Sequence, residues 1–360
     1  MLPVSPLPLV LNDCVSRASC DVFCSMRFAD LIRGAWRRTV PRRLRRQASH
    51  LWKSPATEVR RYVRALRWMA MSQQRRVSWS RDYNERTTEF WVFILGLHGS
   101  GTTLLKNILD QHPDIRSMPR EGQHYTSAVP QVVPYGFVRN FTARLDLFRL
   151  TEADSATAAL RTQFDWSFVY PREKGIKLEK SSTDIIRARW LQAHFRPSRF
   201  ITIFRDPYAV CASTRRRYPR LTIEDIARQW KVAHDLLFED FQYLGSNLIV
   251  YYEDLCSRLE EQLRRISEFS ELNPILTPAM LPSLIPTAKN VYDAYLPVQN
   301  LNEENRSRLT AEEMHAIKRI AGETISRVGY PLEPADGACP VVRLGCGQSA
   351  RSSGDGGHGA

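Results

Sequence analysis

Hydrophobic positions along the chain fall into two kinds of run. Residues 90–97, FWVFILGL, are apolar without a break over the length of one strand, the pattern of a strand buried on both faces. Arg199 to Phe204 (RFITIF) and Asn247 to Tyr252 (NLIVYY) repeat that pattern, and Gly175 to Lys180 predicts a shorter strand. Between and after them lie stretches with apolar residues at helical spacing: Thr102 to His112, Asp184 to Phe195, Thr222 to Leu244, Asp254 to Phe269 and Thr310 to Val328. Asp206 stands where it N-caps a further helix, with Pro207 at the first helical position. Strands alternating with helices predict an α/β fold, a P-loop-type parallel sheet flanked by helices on both faces.

The two ends of the chain break this pattern. Residues 1–89 hold 18 Lys and Arg against 7 Asp and Glu, whereas the whole chain is +13, so the basic character belongs to the N-terminal segment. Seven arginines lie between Arg33 and Arg46, and a second basic helix is predicted from Thr57 to Gln73. The expected division is a basic, partly helical extension at 1–88, a main domain at 89–332, and a Gly- and Ser-rich disordered tail at 333–360. The seven cysteines are odd in number and irregular in spacing, which argues against a disulfide framework or a zinc site. No run of about 18 apolar residues occurs, as a membrane span requires. The N-terminus has three prolines and no basic start, unlike a signal peptide. A cytoplasmic protein is expected.

Two motifs carry the candidate chemistry. Gly96-Leu-His-Gly-Ser-Gly-Thr-Thr103 joins a buried strand to a helix with the spacing G-x-x-x-x-G. Glycines let successive backbone N–H groups wrap an anion, and the helix that follows adds its positive end. The candidate contacts are His98, Gly99, Ser100, Gly101, Thr102 and Thr103. The lysine of a nucleoside-triphosphate loop is missing, since Thr102 stands there, which counts against a kinase or NTPase. The second motif begins at Arg205, at the end of a buried strand, where open α/β sheets bind ligands. Arg205 can fork onto a phosphate, Ser213 adds a hydroxyl two turns into the next helix, and Arg217 follows four residues later on the same face. Together they make a second phosphate site.

A lysine-free loop ending Gly-Thr-Thr, followed by strand-Arg-Asp-Pro-x5-Ser, resembles the sulfotransferase superfamily, which uses 3′-phosphoadenosine-5′-phosphosulfate (PAPS). Residues 99–124 are similar to the tyrosylprotein sulfotransferases and, more closely, their bacterial relatives, and the likeness spans roughly residues 90–270. It implies that the first loop holds the 5′-phosphosulfate and that Arg205, Ser213 and Arg217 hold the 3′-phosphate. Glu179-Lys-Ser-Ser182 resembles the family's lysine-bearing strand end, which implies Lys180 at the leaving oxygen. Val250-Tyr-Tyr-Glu-Asp-Leu255 resembles its Tyr-Glu-x-Leu element, which implies a nucleotide contact for Tyr252. The tyrosylprotein enzymes carry arginine just before Ser-Gly-Thr-Thr; Gly99 stands there in this chain, and His98 is the residue placed to supply the charge. Leu296-Pro-Val298 stands where the family has Lys-Pro-Val, with Lys289 the nearest lysine upstream.

Sulfuryl transfer needs donors for the charge that builds on the leaving oxygen and a base for the acceptor proton, and no metal. The family's glutamate base falls nearest Glu121, with His124 as the rival. The acceptor is a hydroxyl compound that the sequence leaves open among small molecule, glycan, lipid and peptide tyrosine. Tyr125 to Arg149 and Leu281 to Leu301 are the expected acceptor walls. Arg33 to Arg46 leaves open a contact with an anionic surface, nucleic acid or membrane.

Overall fold

The computed structural model describes residues 63–286 and 295–333. Arg33 to Arg46, the tail beyond residue 333 and Lys289 lie outside the described residues. The chain divides into two compact units, Met1–Arg75 and Arg76–Ala360. In the first, residues 63–69 are helical, with Val63, Leu66 and Met69 exposed.

The second unit begins within α1 (Gln73–Thr87) and continues with β1 (Thr88–Leu95), α2 (Thr102–Leu109) and β2 (Ile115–Ser117). Short 3-10 turns at Gly122–His124 and Phe141–Arg144 lead to α3 (Leu145–Phe148), α4 (Ala156–Trp166) and β3 (Gly175–Glu179). Then come α5 (Ala188–His194), β4 (Ser198–Phe204), α6 (Pro207–Arg217), α7 (Ile223–Phe241) and β5 (Asn247–Tyr251). The chain continues through α8 (Tyr252–Ser257), α9 (Leu259–Phe269), β6 (Ile285–Pro286), β7 (Tyr295–Leu296), α10 (Asn302–Arg306) and α11 (Ala311–Val328).

Five strands form one parallel sheet in the order β2-β3-β1-β4-β5, as expected from the strand–helix alternation. Successive residues of β1 explain the two layers. Trp91, Phe93 and Leu95 pack with α5, α7 and α11, while Val92 and Ile94 pack with α2, α8 and α9 on the other face. A strand covered on both sides has no polar position to spare, which is why residues 90–97 read as one apolar run. β6 and β7 form a separate antiparallel pair.

Most of α1 lies in the second unit, where it buries Ser80 and Tyr83 and pairs with α4. The Ser80 hydroxyl and the Asn84 amide both donate to Gln163 Oε1. Three details differ from the sequence expectation. Residues 184–195 form a 3-10 turn at Asp184–Ile186 followed by α5 rather than one helix. Residues 254–269 are split at Arg258, which caps α8 and starts α9 at φ −133°. β2, with three residues, is too short to leave a periodic signal. Thr222 and Thr310 N-cap α7 and α11, and Thr310 and Glu313 form a capping box. No helix among the described residues is long and apolar enough to cross a membrane.

Candidate nucleotide and transfer site

Four neighbouring strands deliver the candidate residues to one edge of the sheet. Lys180 follows β3, the glycine loop follows β1, Arg205 follows β4 and Tyr252 follows β5. This is the carboxyl edge, with β1 and β4 flanking the point where strand order reverses, the usual ligand crevice of such sheets.

The loop owes its shape to three glycines. Gly99 and Gly101 adopt φ +89° and +95°, a region that side chains disfavour. A Cβ on Gly101 would meet the Tyr252 ring at 2.7 Å, and one on Gly96 would meet Thr102 at 2.8 Å and Ile203 at 2.9 Å. The Ser100 N–H turns back to the Leu97 carbonyl at 3.1 Å. No side chain caps the start of α2 at Thr102, so its first N–H groups keep their capacity for an anion. Thr102 is buried, and the Ser100 hydroxyl is buried with no partner among the described residues.

Arg205 reaches across to this loop. Its Nη1 donates to the Gly99 carbonyl at 2.8 Å, its Nε donates to Asn302 Oδ1 at 2.7 Å, and its guanidinium lies 4.0 Å over the Tyr252 ring. The third nitrogen, Nη2, is buried without a partner among the described residues. A buried guanidinium N–H with nothing to bind is costly, and an oxyanion is the ligand that fits it. Ser213 is buried beside the loop: a Cβ built on Gly99 would sit 3.7 Å from its hydroxyl. Burial and the neighbouring charge of Arg216, with Arg205 also contributing, lower the pKa of Arg217. Arg205, Ser213 and the loop are thus brought together, and Arg217 lies within their field. The Tyr252 hydroxyl donates to the Gln299 carbonyl at 2.8 Å, tying the nucleotide side to the segment after β7.

On the other side of the loop, Lys180 Nζ donates to Glu121 Oε1 at 2.7 Å, and the Gln123 amide donates to Glu121 Oε2 at 2.6 Å. Burial pushes the Glu121 carboxyl up, but the Lys180 charge and the hydrogen bonds from Lys180 and Gln123 outweigh it and hold the group at about 2. The His98 imidazole is uncharged in the free chain. Burial, and then Arg139 and the Lys180 and Arg217 charges, push its imidazole well below the ordinary range and keep it neutral. His124 ends the 3-10 turn that Glu121 begins.

Several site residues left no local signal in the sequence. Asn302 also donates to Glu253 Oε1 at 2.6 Å, where the Asp206 N–H binds at 3.0 Å, and the Tyr330 hydroxyl donates to Glu253 Oε2 at 2.7 Å. Asp206 caps α6 through the Ala209 N–H and accepts from Arg306 Nη1 at 3.0 Å. This buried network holds the Arg205 turn from behind. Arg139 also went unread: its guanidinium lies 5.0 Å over Tyr218 and its Nε is buried without a partner among the described residues. It lines a small cavity with Leu97 and His98.

Known proteins match the stretch of chain that carries this geometry. The profile of the sulfotransferase family matches residues 92–275. A protein-tyrosine sulfotransferase of Drosophila melanogaster is 25% identical over 225 residues, 58% of this chain and 42% of that protein. Protein-tyrosine sulfotransferase A of Caenorhabditis elegans is 26% identical over 207 residues, 54% of this chain and 52% of that protein. The chain spans about half the length of these curated relatives. Among solved structures, the sulfotransferase domain of the Synechococcus PCC 7002 olefin synthase has 21% identity and a TM-score of 0.44, covering 67% of this chain and 96% of that one. Mouse sulfotransferase SULT7A1 complexed with PAP has 12% identity and a TM-score of 0.37, covering 68% and 87%. With the family profile covering the glycine loop, the Lys180 strand end, Arg205 and Tyr252 in one span, the chain belongs to the sulfotransferase family.

Proposed function

We propose that the chain transfers a sulfuryl group from PAPS to the hydroxyl of an acceptor. The observation that carries this reading is Arg205: it binds the Gly99 carbonyl, stacks on Tyr252 and has one buried guanidinium nitrogen without a partner among the described residues. Two anion-binding places therefore adjoin, the glycine loop and the Arg205–Ser213–Arg217 cluster, which matches a nucleotide with a 5′-phosphosulfate and a 3′-phosphate. PAPS supplies the group transferred and leaves as the bisphosphate PAP. The loop N–H groups, Thr102 and Thr103 serve the 5′ end, and Tyr252 packs against the nucleotide. Thr102 in place of a lysine weighs against a nucleoside triphosphate.

Lys180 is the cation for the leaving oxygen and Glu121 the base for the acceptor proton. Glu121 is ionised over the physiological range, as a base must be, but its ion pair makes it a weak one. Movement of the Lys180 ammonium toward developing negative charge restores its basicity. Peptide tyrosine is the acceptor favoured here, because the curated relatives are protein-tyrosine sulfotransferases. The basic segment from Arg33 to Arg46 serves as an accessory contact for an anionic surface, and a cytoplasmic location is part of the same reading. Calorimetric titration with PAP tests the core of it: micromolar binding to the wild type, lost in Arg205→Ala, is expected. No binding to the wild type overturns it.

A further inference from the structure

Gly122 and Ser181 are the sequence neighbours of Glu121 and Lys180, and one buried side chain binds both. Oε1 of Glu179 accepts the Gly122 N–H at 2.6 Å and the Ser181 hydroxyl at 2.7 Å. The two segments are joined a second time where the Gln123 N–H meets Ser181 Oγ at 3.3 Å, and Gln123 itself binds Glu121. From the opposite side, the Trp166 indole donates to the Gly122 carbonyl at 2.9 Å. Gly122 is fixed so closely that a Cβ there would lie 2.6 Å from both Glu179 Oε1 and Trp166.

Glu179 is anchored in its turn. It ends β3, paired with Phe93 of the central strand, and is 1% exposed. Asp184 faces it, and burial followed by the Glu179 charge raises the Asp184 carboxyl well above the usual range. Glu179 Oε2 is buried with no hydrogen-bond partner among the described residues. A protonated Asp184 donating to the Glu179 carboxylate accounts for both facts. Asp184 is held by the Ser181 N–H at 3.2 Å, so the pair closes a ring around the Lys180 turn.

We infer that Glu179, braced by Asp184, is the positioning residue that sets Lys180 and Glu121 against one another. The inference rests on the sulfotransferase reading for its meaning, not for its geometry. Glu179 touches no reacting atom; it acts by joining a strand end to a loop that has only a three-residue 3-10 turn of its own. Preorganisation of this kind governs turnover more than substrate binding. Glutamine in its place keeps the oxygen that accepts both donors and turns an N–H toward Asp184; alanine loses the junction altogether.

The test uses the full chain with Glu179→Ala and Glu179→Gln. PAP titration of all three proteins judges the sulfotransferase reading by itself. Independently, 13C NMR follows the Glu121 carboxyl, identified by its disappearance in Glu121→Gln. In Glu179→Ala the Glu121 titration rises by about one pH unit or more as the Lys180 pair loosens, while Glu179→Gln titrates as the wild type does. In transfer from PAPS to a tyrosine-containing peptide, kcat falls by about tenfold or more in the alanine variant with KM for PAPS little changed, and glutamine restores it. An unchanged Glu121 titration in Glu179→Ala, or equal damage from glutamine, overturns the inference even if PAP binds. Absent PAP binding in the wild type overturns the functional reading and leaves the titration to decide the clamp. Should Glu179→Ala fail to fold, Ser181→Ala removes one donor of the junction and carries the same shift at smaller size; no shift there also overturns the inference.

Discussion

The Lys180 ammonium lies 2.7 Å from Oε1 of Glu121, so the proposed leaving-group cation and the proposed base neutralise each other in the free chain. Lys180 is 8% exposed and Glu121 17%, which keeps the pair out of the range where solvent screening makes ion pairs negligible. Removing one partner therefore leaves the other charged, largely buried and uncompensated.

The pair has a pH signature. The Glu121 carboxyl titrates at about 2 in the folded chain, below its ordinary 4.5. Its stabilising contribution is complete above about 4.5 and is lost as pH falls toward about 2. A difference of that size is worth about 3 kcal/mol. Urea unfolding across this window should show the stability gap between wild type and Glu121→Gln closing as pH falls, with no change in the gap above pH 5.

Arg205 binds through two nitrogens and stacks through its plane, and lysine reproduces none of these together. Arg205→Lys should weaken PAP binding by about tenfold or more and Arg205→Ala by about a hundredfold. Calorimetry on both variants, with thermal unfolding as the control for folding, checks the order.

The backbone of the site was legible because it is built from local signals. A continuous apolar run made β1, glycines at fixed spacing made the loop, and Asp206-Pro207 marked the start of α6. The rest depends on residues that meet only when folded. Asn302 reaches Arg205 across 97 positions and Arg306 reaches Asp206 across 100, joining the chain's last third to a turn in its middle. No period or motif announces such a contact, since the short α10 that carries both residues has no apolar stripe to read. The charge of His98 was illegible for a related reason: burial, and then the charges of Arg139, Lys180 and Arg217 against that of Glu121, decide its protonation in the free chain, and none of these stands beside it in the sequence.

That hidden network separates stability from binding. Tyr330→Phe leaves Glu253 Oε2 without its donor and should cost about 1–2 kcal/mol of stability with PAP affinity little changed. Asn302→Ala removes the group that orients Arg205 and should weaken PAP binding as well. Denaturant unfolding and PAP titration on the two variants distinguish the outcomes.

Gly101 carries two constraints at once, φ +95° and the Tyr252 ring 2.7 Å from where a Cβ would stand. Gly136 shares the first constraint, at φ +75°, but has nothing within 4 Å. Gly136→Ala should cost about 1 kcal/mol through the backbone alone. Gly101→Ala should cost about 2 kcal/mol or more and also weaken PAP binding, because the Tyr252 ring must move. Thermal unfolding and PAP titration of the pair separate strain from crowding.

The choice of base rests on Glu121 and His124, three residues apart at the two ends of one short turn. Glu121 is held by Lys180 and Gln123 at the loop side of the site, and its carboxylate is ionised at neutral pH. Glu121→Gln keeps the shape and an oxygen for Lys180 but cannot take a proton. Its kcat for transfer to a tyrosine-containing peptide should fall by about 10²–10⁴ with PAP binding nearly intact. His124→Ala should stay within a few-fold of wild type by the same measure. If the histidine variant loses turnover and the glutamine variant keeps it, the base is His124, and the Lys180–Glu121 pair is a structural strut of the loop rather than part of the chemistry.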